Sequence, residues 1–352
     1  MQPAPRPAPS AVGVPLRQPP RARRPYATAA GGYALGAVAG YAADLRFADP
    51  RRGHPVAAFG RAAGRLERAL WRDHRGAGAL YTALCVGGVT AAAVTVERLV
   101  GRRGIAASAA TAAATWTVLG GTSLTREART IGAALRAGDL TAARERLPHL
   151  CGRDPSALDE PQLARAVVES VAENTADAVV NALVWGALAG GPGLLAFRAV
   201  NTLDAMVGHR SPRHRRFGWA SARLDDLAGW PGARLTALLT VAAAPHPRTA
   251  WRVWRRDGSA HPSPNAGQAE SAFAGALGVR LGGSLRYGER VENRPVLGAE
   301  LRPVAVDDIE RACRLSRRVG LLALAVTVAG RCAGHRVRAR AARAARTGGG
   351  SR

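Results

Sequence analysis

Two long uncharged runs constrain the fold of this chain more than any other feature. Residues 76–96 and residues 104–125 carry no charged side chain over 21 and 22 positions. Since a helix rises about 1.5 Å per residue, roughly 20 such residues cross the ~30 Å hydrocarbon layer of a bilayer. The pair therefore predicts a membrane hairpin. Both runs are rich in Ala, Gly and Thr rather than Leu, so a buried hairpin of a soluble protein is the alternative.

Shorter apolar runs indicate further membrane-embedded segments. Residues 25–43 form another uncharged run behind three arginines, which predicts a retained first span or, alternatively, a secretory signal. The apolar run 178–189 is ended by Gly-Gly-Pro-Gly at 190–193, and an apolar run resumes at 194–200. Such a broken helix at membrane depth usually lines a cavity. An amphipathic hairpin lying on the membrane is the other interpretation.

The predicted fold is all-α: a polytopic helical membrane protein with about four to six membrane-embedded helices, some of them broken or short. Residues 235–247 and 319–330 add either short spans or buried core helices. Aromatic residues make up only 5% of the chain, which favours closely packed helices over a β-rich core. We expect a disordered Pro/Arg-rich leader at 1–24, a helical catalytic domain at 25–330 and a disordered Arg-rich tail at 331–352.

Arginine carries the cationic charge alone, because the chain contains no lysine. A Walker A loop and a lysine Schiff base are therefore excluded, and any phosphate must be held by Arg, backbone amides or a metal. The net charge of +25 includes five arginines in residues 1–24 and seven in 331–352, so it does not by itself predict a nucleic-acid partner. The four cysteines form no CxxC pair, which argues against a zinc site or a disulfide framework.

The most informative polar segment is ESVAENTAD at residues 169–177. Its acids Glu169, Glu173 and Asp177 are spaced i, i+4 and i+8, which places them on one stripe of a helix. Three carboxylates on one stripe repel each other unless a cation lies among them, so they indicate a divalent cation or a substrate amine. Pairing of Glu169 with Arg165 is the alternative, purely structural explanation.

A second polar set follows in residues 197–230. Arg198, Asn201 and Asp204 share one broad helix face, with i, i+3 and i+6 spacing. Ion pairs on solvated helices explain such a pattern, and the alternative is an anion pocket of arginines beside metal-binding acids, as phosphoryl chemistry needs. The charged residues that follow around Trp219 are Arg213, Arg215, Arg216, Arg223, Asp225 and Asp226.

Residues 261–278, HPSPNAGQAESAFAGALG, predict a rigid loop that leads into a helix. Ser263 or Asn265 is expected to cap this helix, and Glu270 lies in its early turns. A capped helix N-terminus with polar neighbours can bind an anion, although a simple capped turn explains the same pattern. The tripeptide at 286–288 predicts a turn.

Together these segments resemble the adenosylcobinamide-phosphate synthase family, the CobD/CbiB integral-membrane proteins of cobalamin biosynthesis. The resemblance runs from about residue 34 to residue 330. The sequence departs from the family pattern at Ala178, Asn181-Ala182, His209 and Gln268-Ala269, which flank the polar positions without removing them. The six ordered blocks that carry the resemblance are DLRFADPRRGHPVAAFGR (44–61), VVESVAENTADAVV (167–180), FRAVNTLDAMVGHR (197–210), RRFGWASARLDDLAGWPGARLTALL (215–239), HPSPNAGQAESAFAGALGVRLGG (261–283) and RYGERVENRP (286–295).

The resemblance implies a ligase that joins a carboxylate of adenosylcobyric acid to 1-aminopropan-2-ol or its phosphate, giving adenosylcobinamide or its phosphate. A carboxylate does not react with an amine unaided, so ATP and Mg²⁺ are expected, with no tightly bound prosthetic group. The implied location is the cell membrane, as a multi-pass protein. The implied partners are the corrinoid, the aminopropanol and the lipid bilayer, with other corrinoid-assembly enzymes as further candidates and no nucleic acid.

The residue patterns and the resemblance together nominate the site. Two alternatives from other classes are a membrane transporter with a carboxylate-lined pocket, and a basic scaffold that binds nucleic acid or anionic lipid. The predicted catalytic residues are Glu169, Glu173, Asn174, Asp177, Asn201 and Asp204, with Glu173 and Asp177 as candidate metal ligands. The predicted substrate-binding residues are Arg198, Arg210, Trp219, Arg223, Asp225, Asp226, His261, Ser263, Asn265, Glu270, Arg286 and Tyr287.

Overall fold

The described chain is almost entirely helical, with one two-stranded antiparallel hairpin. The computed structural model describes residues 27–50, 53–101, 104–209, 211–287 and 290–348. Its twelve α-helices are α1 (Ala27–Phe47), α2 (Pro55–Leu70), α3 (Arg75–Val100), α4 (Gly104–Val118), α5 (Gly121–Arg136), α6 (Leu140–Arg146), α7 (Glu160–Thr175), α8 (Asn181–Leu203), α9 (Trp219–Ala243), α10 (Pro247–Asp257), α11 (Ala266–Leu277) and α12 (Asp307–Gly348). The strands are β1 (Leu281–Tyr287) and β2 (Arg290–Leu297). The all-α prediction is therefore correct apart from this hairpin.

Small residues set how closely the N-terminal helices approach, as the scarcity of aromatic residues predicts. Gly32, Gly36 and Gly40 form a GxxxGxxxG row on α1 that faces α4. A Cβ atom at Gly36 would lie 2.5 Å from the carbonyl oxygen of Ser108, and one at Gly40 would lie 2.5 Å from that of Ala112. Such a row lets two helix backbones touch, which is the packing typical of membrane helices.

Two helical segments are long and apolar enough to cross a membrane, Arg75–Val100 and Glu160–Gly208. The most apolar part of the first is largely exposed, whereas that of the second is mostly buried inside the protein. The described residues thus offer fewer candidate spans than the sequence predicts.

The predicted hairpin of runs 76–96 and 104–125 is wrong in its second helix. That run divides into α4, which ends at Val118, and α5, which begins at Gly121. In addition, α4 packs mainly against α1 rather than α3. At 15 residues, α4 is too short to span a bilayer alone.

The interrupted apolar run is a kinked helix, as predicted. α7 continues through a π-helical turn, Ala176–Val180, into α8, and α8 continues into a second π-helical turn, Asp204–Gly208. Gly190 breaks α8 with φ 70° and ψ −151°, a conformation that favours glycine because it has no Cβ atom. Pro192 follows and cannot donate a helical hydrogen bond.

Helices α9, α11 and α12 close the core around α7 and α8. α11 is buried over its whole length, which explains its run of Ala, Gly and Phe. The core side chains Leu163, Val167 and Phe273 have no exposed surface. This packing encloses the polar stripe of α7 within the protein.

The structure describes most of the predicted C-terminal tail and none of the predicted leader. The leader predicted at 1–24 lies outside the described residues. The Arg-rich tail predicted to be disordered is helical as far as Gly348, because α12 continues to that residue. Ala and Arg are strong helix formers, and they dominate this segment.

The β-hairpin was not predicted from the sequence. A bulge between Gly282 and Gly283, with φ of 80° and 87°, interrupts the register of β1. The expected alternation of side chains is therefore broken at its start. Arg286 and Tyr287, predicted to lie in a turn, lie in β1 instead.

Candidate functional site

Both π-helical turns carry an acid that the sequence analysis assigns to the site. Asp177 lies in the first turn and Asp204 begins the second. A π-helical turn is rare, and it is frequent at functional sites. The chain between them reverses at Gly190, and the two carboxylates lie within electrostatic range of each other. The structure thus brings together two acids that are 27 positions apart in the sequence.

Glu169 begins the carboxylate stripe and is held from three sides. Its Oε2 accepts a 2.6 Å hydrogen bond from Arg153 Nη2, and its Oε1 accepts one of 2.7 Å from the backbone N–H of Gly282. Arg165, the partner expected from the sequence, lies farther away, with Nε 3.8 Å from Oε1. Glu169 therefore ties α7 to the preceding loop and to β1, which makes it a positioning residue rather than a free carboxylate.

Arg153→Met is expected to destabilise the fold by about 3 kcal/mol, because it leaves Glu169 as a poorly compensated buried charge. Both side chains of the pair are only 6% exposed. The measurement is thermal or urea unfolding of the purified protein. The matched control is Arg146→Met, which removes the exposed partner of Glu127 and is expected to leave the melting temperature almost unchanged. Equal losses in the two variants would contradict this role for Arg153.

Glu270 faces the stripe from the buried helix α11. It is 3% exposed, and His261 Nε2 lies 3.9 Å from its Oε1. Burial, with the negative charges of Glu169 and Glu173, raises the pKa of Glu270 well above its usual range, and Arg294 on β2 opposes that shift. Arg294 Nη1 also lies 3.2 Å from His261 Nε2. The hairpin thus brings a guanidinium group to a pocket of three glutamates.

Glu173 lies between Glu169 and Asp177 on the carboxylate stripe. Glu169 and Asp204 act electrostatically on its carboxylate, and so do Arg153 and Arg294. Its side chain is partly exposed. Within the described residues no hydrogen bond engages its carboxylate, which is therefore available to a ligand.

Asp225, on α9, completes the acid patch. Asn201 Nδ2 lies 3.5 Å from Asp225 Oδ1. Burial and the charge of Asp204 raise the pKa of Asp225 to about 7. Asp177 lies within electrostatic range of both aspartates. Four acids, including Glu173, therefore form one patch at the junction of α7, α8 and α9.

Arg198 is a guanidinium group beside this acid patch. Asp49 and Asp177 both act on it electrostatically, and its buried Nε has no hydrogen-bond partner among the described residues. An unsatisfied buried donor costs about 1–3 kcal/mol, so a ligand oxygen there would be stabilised. Asp49 was not predicted as a site residue. It lies in the first family-like block, beside His54, whose Nε2 is 3.7 Å from Asp49 Oδ1.

The loop before α11 connects that helix to α9 through side-chain hydrogen bonds. Ser263 Oγ accepts hydrogen bonds of 3.2 and 3.1 Å from the backbone N–H groups of Asn265 and Ala266. Asn265 occupies the N-cap position of α11 but makes no side-chain capping bond. Asn265 Nδ2 donates a 2.8 Å bond to the carbonyl of Asp226, and its Oδ1 accepts one of 2.8 Å from Arg234. Asn265 thereby ties α9 to α11.

Two predicted substrate-binding residues lie at the protein surface instead. Trp219 is 42% exposed, with the guanidinium of Arg75 over its ring. The side chain of Arg223 is 70% exposed and pairs with Asp226 at 3.6 Å. Solvated ion pairs of this kind were the alternative explanation for the segment. Arg210 lies outside the described residues.

Asn174 is held by its own helix, because its Nδ2 donates to the carbonyl of Ser170 at 2.9 Å.

Arg286 and Tyr287 lie on β1 of the hairpin that also carries Arg294. The side chains of those two residues lie outside the described part of the structure. Arg153 and Arg294 were missed by the sequence analysis, although Arg294 belongs to the last family-like block.

Carboxylates outnumber guanidinium groups in the described part of this cluster. No three His, Cys, Asp or Glu side chains of the described residues lie close enough together to hold a metal ion alone. Mg²⁺ usually takes one or two protein carboxylates together with substrate phosphates, so the donor set fits a metal that arrives with a nucleotide. The acids are Asp49, Glu169, Glu173, Asp177, Asp204, Asp225 and Glu270, and the arginines are Arg153, Arg165, Arg198 and Arg294.

Known proteins identify the family. A family model described as CobD/Cbib protein matches residues 37–316. The cobalamin biosynthesis protein CobD of Mycobacterium tuberculosis (strain ATCC 25618 / H37Rv) is 54% identical over 299 residues, which cover 83% of this chain and 95% of that protein. The protein of the same name from Geobacter metallireducens is 44% identical over 272 residues, 74% of this chain and 85% of that protein. No solved structure matches. The chain belongs to the CobD/CbiB family.

Proposed function

We propose that this chain is the enzyme of cobalamin biosynthesis that joins a carboxylate of adenosylcobyric acid to the amine of 1-aminopropan-2-ol or its phosphate. The observation that carries the proposal is the excess of buried and half-buried carboxylates over guanidinium groups around Glu173, among the side chains that the structure describes. Buried charge of one sign must be compensated. A substrate ammonium group and Mg²⁺ would supply the missing positive charge.

The reaction needs two steps, because a carboxylate oxygen is a poor leaving group. First, an oxygen of the corrin carboxylate attacks the γ-phosphorus of ATP. A new O–P bond forms, the bond between the β- and γ-phosphoryl groups breaks, and ADP leaves. Second, the amine nitrogen attacks the acyl carbon, the acyl C–O bond breaks, and phosphate leaves with that oxygen. The amine enters as an ammonium ion, so it gives one proton to a base before it attacks, and the second proton lost from its nitrogen leaves with the phosphate.

Glu173 is the base in this proposal. The substrate amine arrives as an ammonium ion, which has no lone pair for attack until it loses a proton. Asp204, which acts electrostatically on Glu173, would hold the ammonium ion, and the carboxylate of Glu173 would take its proton. The partly exposed position of Glu173 and its lack of a hydrogen bond within the described residues favour this role over that of metal ligand.

Arg198 is the phosphate-binding group in this proposal. Within the part of the chain that the structure describes, its buried Nε has no hydrogen-bond partner, and a planar guanidinium fork bonds two oxygens of a phosphoryl group at once. Asp177 and Asp225 would hold Mg²⁺. When bound, that ion neutralises charge on the phosphoryl oxygens. The arginine and the acids would thus lie on either side of the nucleotide phosphates.

The proposal includes a location in the cell membrane, with α3 and the kinked segment Glu160–Gly208 embedded. The close packing of α1 on α4 through glycines supports it. Polar groups buried at membrane depth are usually functional, because they are costly there.

An isotope experiment tests the proposed activation step. Adenosylcobyric acid labelled with oxygen-18 in its carboxylates is incubated with purified protein, ATP, Mg²⁺ and aminopropanol phosphate. We expect inorganic phosphate that carries one labelled oxygen, released only when the amine is present. Label appearing in AMP would replace the acyl phosphate by an acyl adenylate. Release of unlabelled phosphate alone, without an amide product, would remove the ligase proposal.

A further inference from the structure

A cavity lies at the far end of the first half of α8 from the acid patch. It encloses about 960 Å³ between α1, α3, α4, α8 and α12. Gly190 at the kink lines it, 13 residues after Asp177. That separation corresponds to about 20 Å along a helix. The cavity is therefore distinct from the proposed catalytic site.

The walls of the cavity are apolar and built from small side chains. Ala107, Ala110 and Ala114 of α4 line one side, and Val184 and Leu195 of α8 line another. The hydroxyl group that lines the cavity on this stretch of α4, that of Thr111, donates to the carbonyl of Ala107 at 2.9 Å, so about two helical turns of the wall are otherwise apolar. Such a wall suits a hydrocarbon chain.

Large apolar side chains are exposed around this end of the protein. Val96, Leu99, Ile105 and Leu188 are 51%, 82%, 88% and 68% exposed. Val96 and Leu188 also line the cavity. A contiguous exposed apolar rim marks an interaction site, and beside a candidate span it indicates contact with lipid chains.

One end of the cavity, which we call its mouth, is lined by basic side chains of α12. Arg331, His335 and Arg338 line it from one face of α12, with i, i+4 and i+7 spacing. Arg331 Nη1 donates a 2.6 Å hydrogen bond to the carbonyl of Ala187 and so caps the first half of α8. Glu97 of α3 is the acid that lines the cavity. Burial and the two arginines lower the pKa of His335, so the charges here are two arginines against one glutamate.

We propose that this cavity binds one anionic phospholipid, with its phosphate diester at Arg331, His335 and Arg338 and an acyl chain along α4. An apolar slot under a cationic mouth matches an anionic amphiphile at both ends, and basic pockets between membrane helices bind anionic head groups. The leader of this chain, with five arginines and no acid in residues 1–24, has the wrong sign of charge to occupy it.

Native mass spectrometry of the delipidated full-length protein tests the proposal. The three probes are phosphatidylglycerol, phosphatidylcholine with matched chains, and glycerol phosphate without chains. We expect one phosphatidylglycerol to bind at least about tenfold more tightly than phosphatidylcholine, and no binding of glycerol phosphate. Equal binding of the two lipids, or binding of glycerol phosphate as tight as that of phosphatidylglycerol, would overturn the proposal.

Two pairs of variants test the contributions of the apolar wall and of the basic mouth to lipid binding separately. Ala110→Trp fills the apolar slot and is expected to weaken phosphatidylglycerol binding more than about tenfold, whereas Ala109→Trp, at an exposed position outside the lining of the cavity, is expected to leave it unchanged. Arg338→Gln is expected to weaken it about fivefold, and Arg336→Gln, also outside the lining, to have no such effect. Should both members of each pair bind alike, the lipid does not occupy this cavity. Amide formation is not used as a readout, so this test is independent of the proposed reaction.

Discussion

Glu173→Gln is expected to lower the rate of amide formation by about 10²–10⁴-fold, which is what a positioned general base contributes. The substitution keeps the size and shape of the side chain, and it removes one negative charge from a cluster in which the described carboxylates outnumber the described guanidinium groups. We therefore expect the fold to be at least as stable as before. The measurement is the initial rate of corrinoid amide formation at saturating ATP and amine.

The pH dependence of this variant separates a base from a merely structural carboxylate. Without Glu173, the amine must lose its proton to solvent before it attacks, so the rate should rise about tenfold per pH unit below the pKa of the amine. Glu127→Gln is the matched control, because Glu127 pairs with Arg146 outside the site and its loss should leave the rate unchanged. A Glu173→Gln enzyme with the wild-type rate would exclude Glu173 as the base.

Gly78→Ala is expected to destabilise the protein by about 3 kcal/mol, one of the largest effects that we expect from a single added methyl group. A Cβ atom there would overlap the backbone carbonyl of Phe217. A backbone atom cannot move aside by a change of rotamer. Phe217 is also fully buried, with its ring centroid 5.1 Å from that of Tyr81.

Gly88→Ala, on the same helix, is the control for this prediction. No atom of the described structure lies within 4 Å of a Cβ at Gly88. Alanine in place of a helix-interior glycine should therefore stabilise α3 by about 0.5–1 kcal/mol. The measurement is the melting temperature of each purified variant. If both variants shift it equally, the packing of α3 against Phe217 is not as described.

Local spacing predicts the parts of the site that lie on one helix. The i, i+4, i+8 pattern places Glu169, Glu173 and Asp177 together, because it depends only on helix geometry. The Gly-Gly-Pro-Gly break is equally local, since glycine and proline act through their own backbone. Both features appear in the structure as the sequence predicts.

Groups that join the cluster from distant segments could not be predicted in this way. Arg153, Arg294 and Asp49 reach the acids only through tertiary packing, and no periodicity links them to residues 169–177. The same limit applies to Glu169, since its buried pairing with Arg153 and Gly282 is not visible in the sequence.

Amino-acid composition alone does not decide which apolar runs cross a membrane. Ala-rich uncharged runs are compatible with a bilayer and also with a tightly packed protein interior, so the length of the helix decides between the two. The run 104–125 is long enough, but α4 stops at Val118 and a new helix begins at Gly121. Two adjacent glycines, at 120 and 121, are the local signal for that break.

Product formation by the purified protein in a lipid bilayer tests the central claim most directly. The protein is incubated with adenosylcobyric acid, aminopropanol phosphate, ATP and Mg²⁺, and the corrinoids are read by mass spectrometry. We expect a product heavier by one amide-linked aminopropanol phosphate, absent when ATP is omitted and strongly reduced in Glu173→Gln. If folded wild-type protein gives no product with either the free or the phosphorylated amine, the proposed reaction is contradicted, and the transporter alternative gains support.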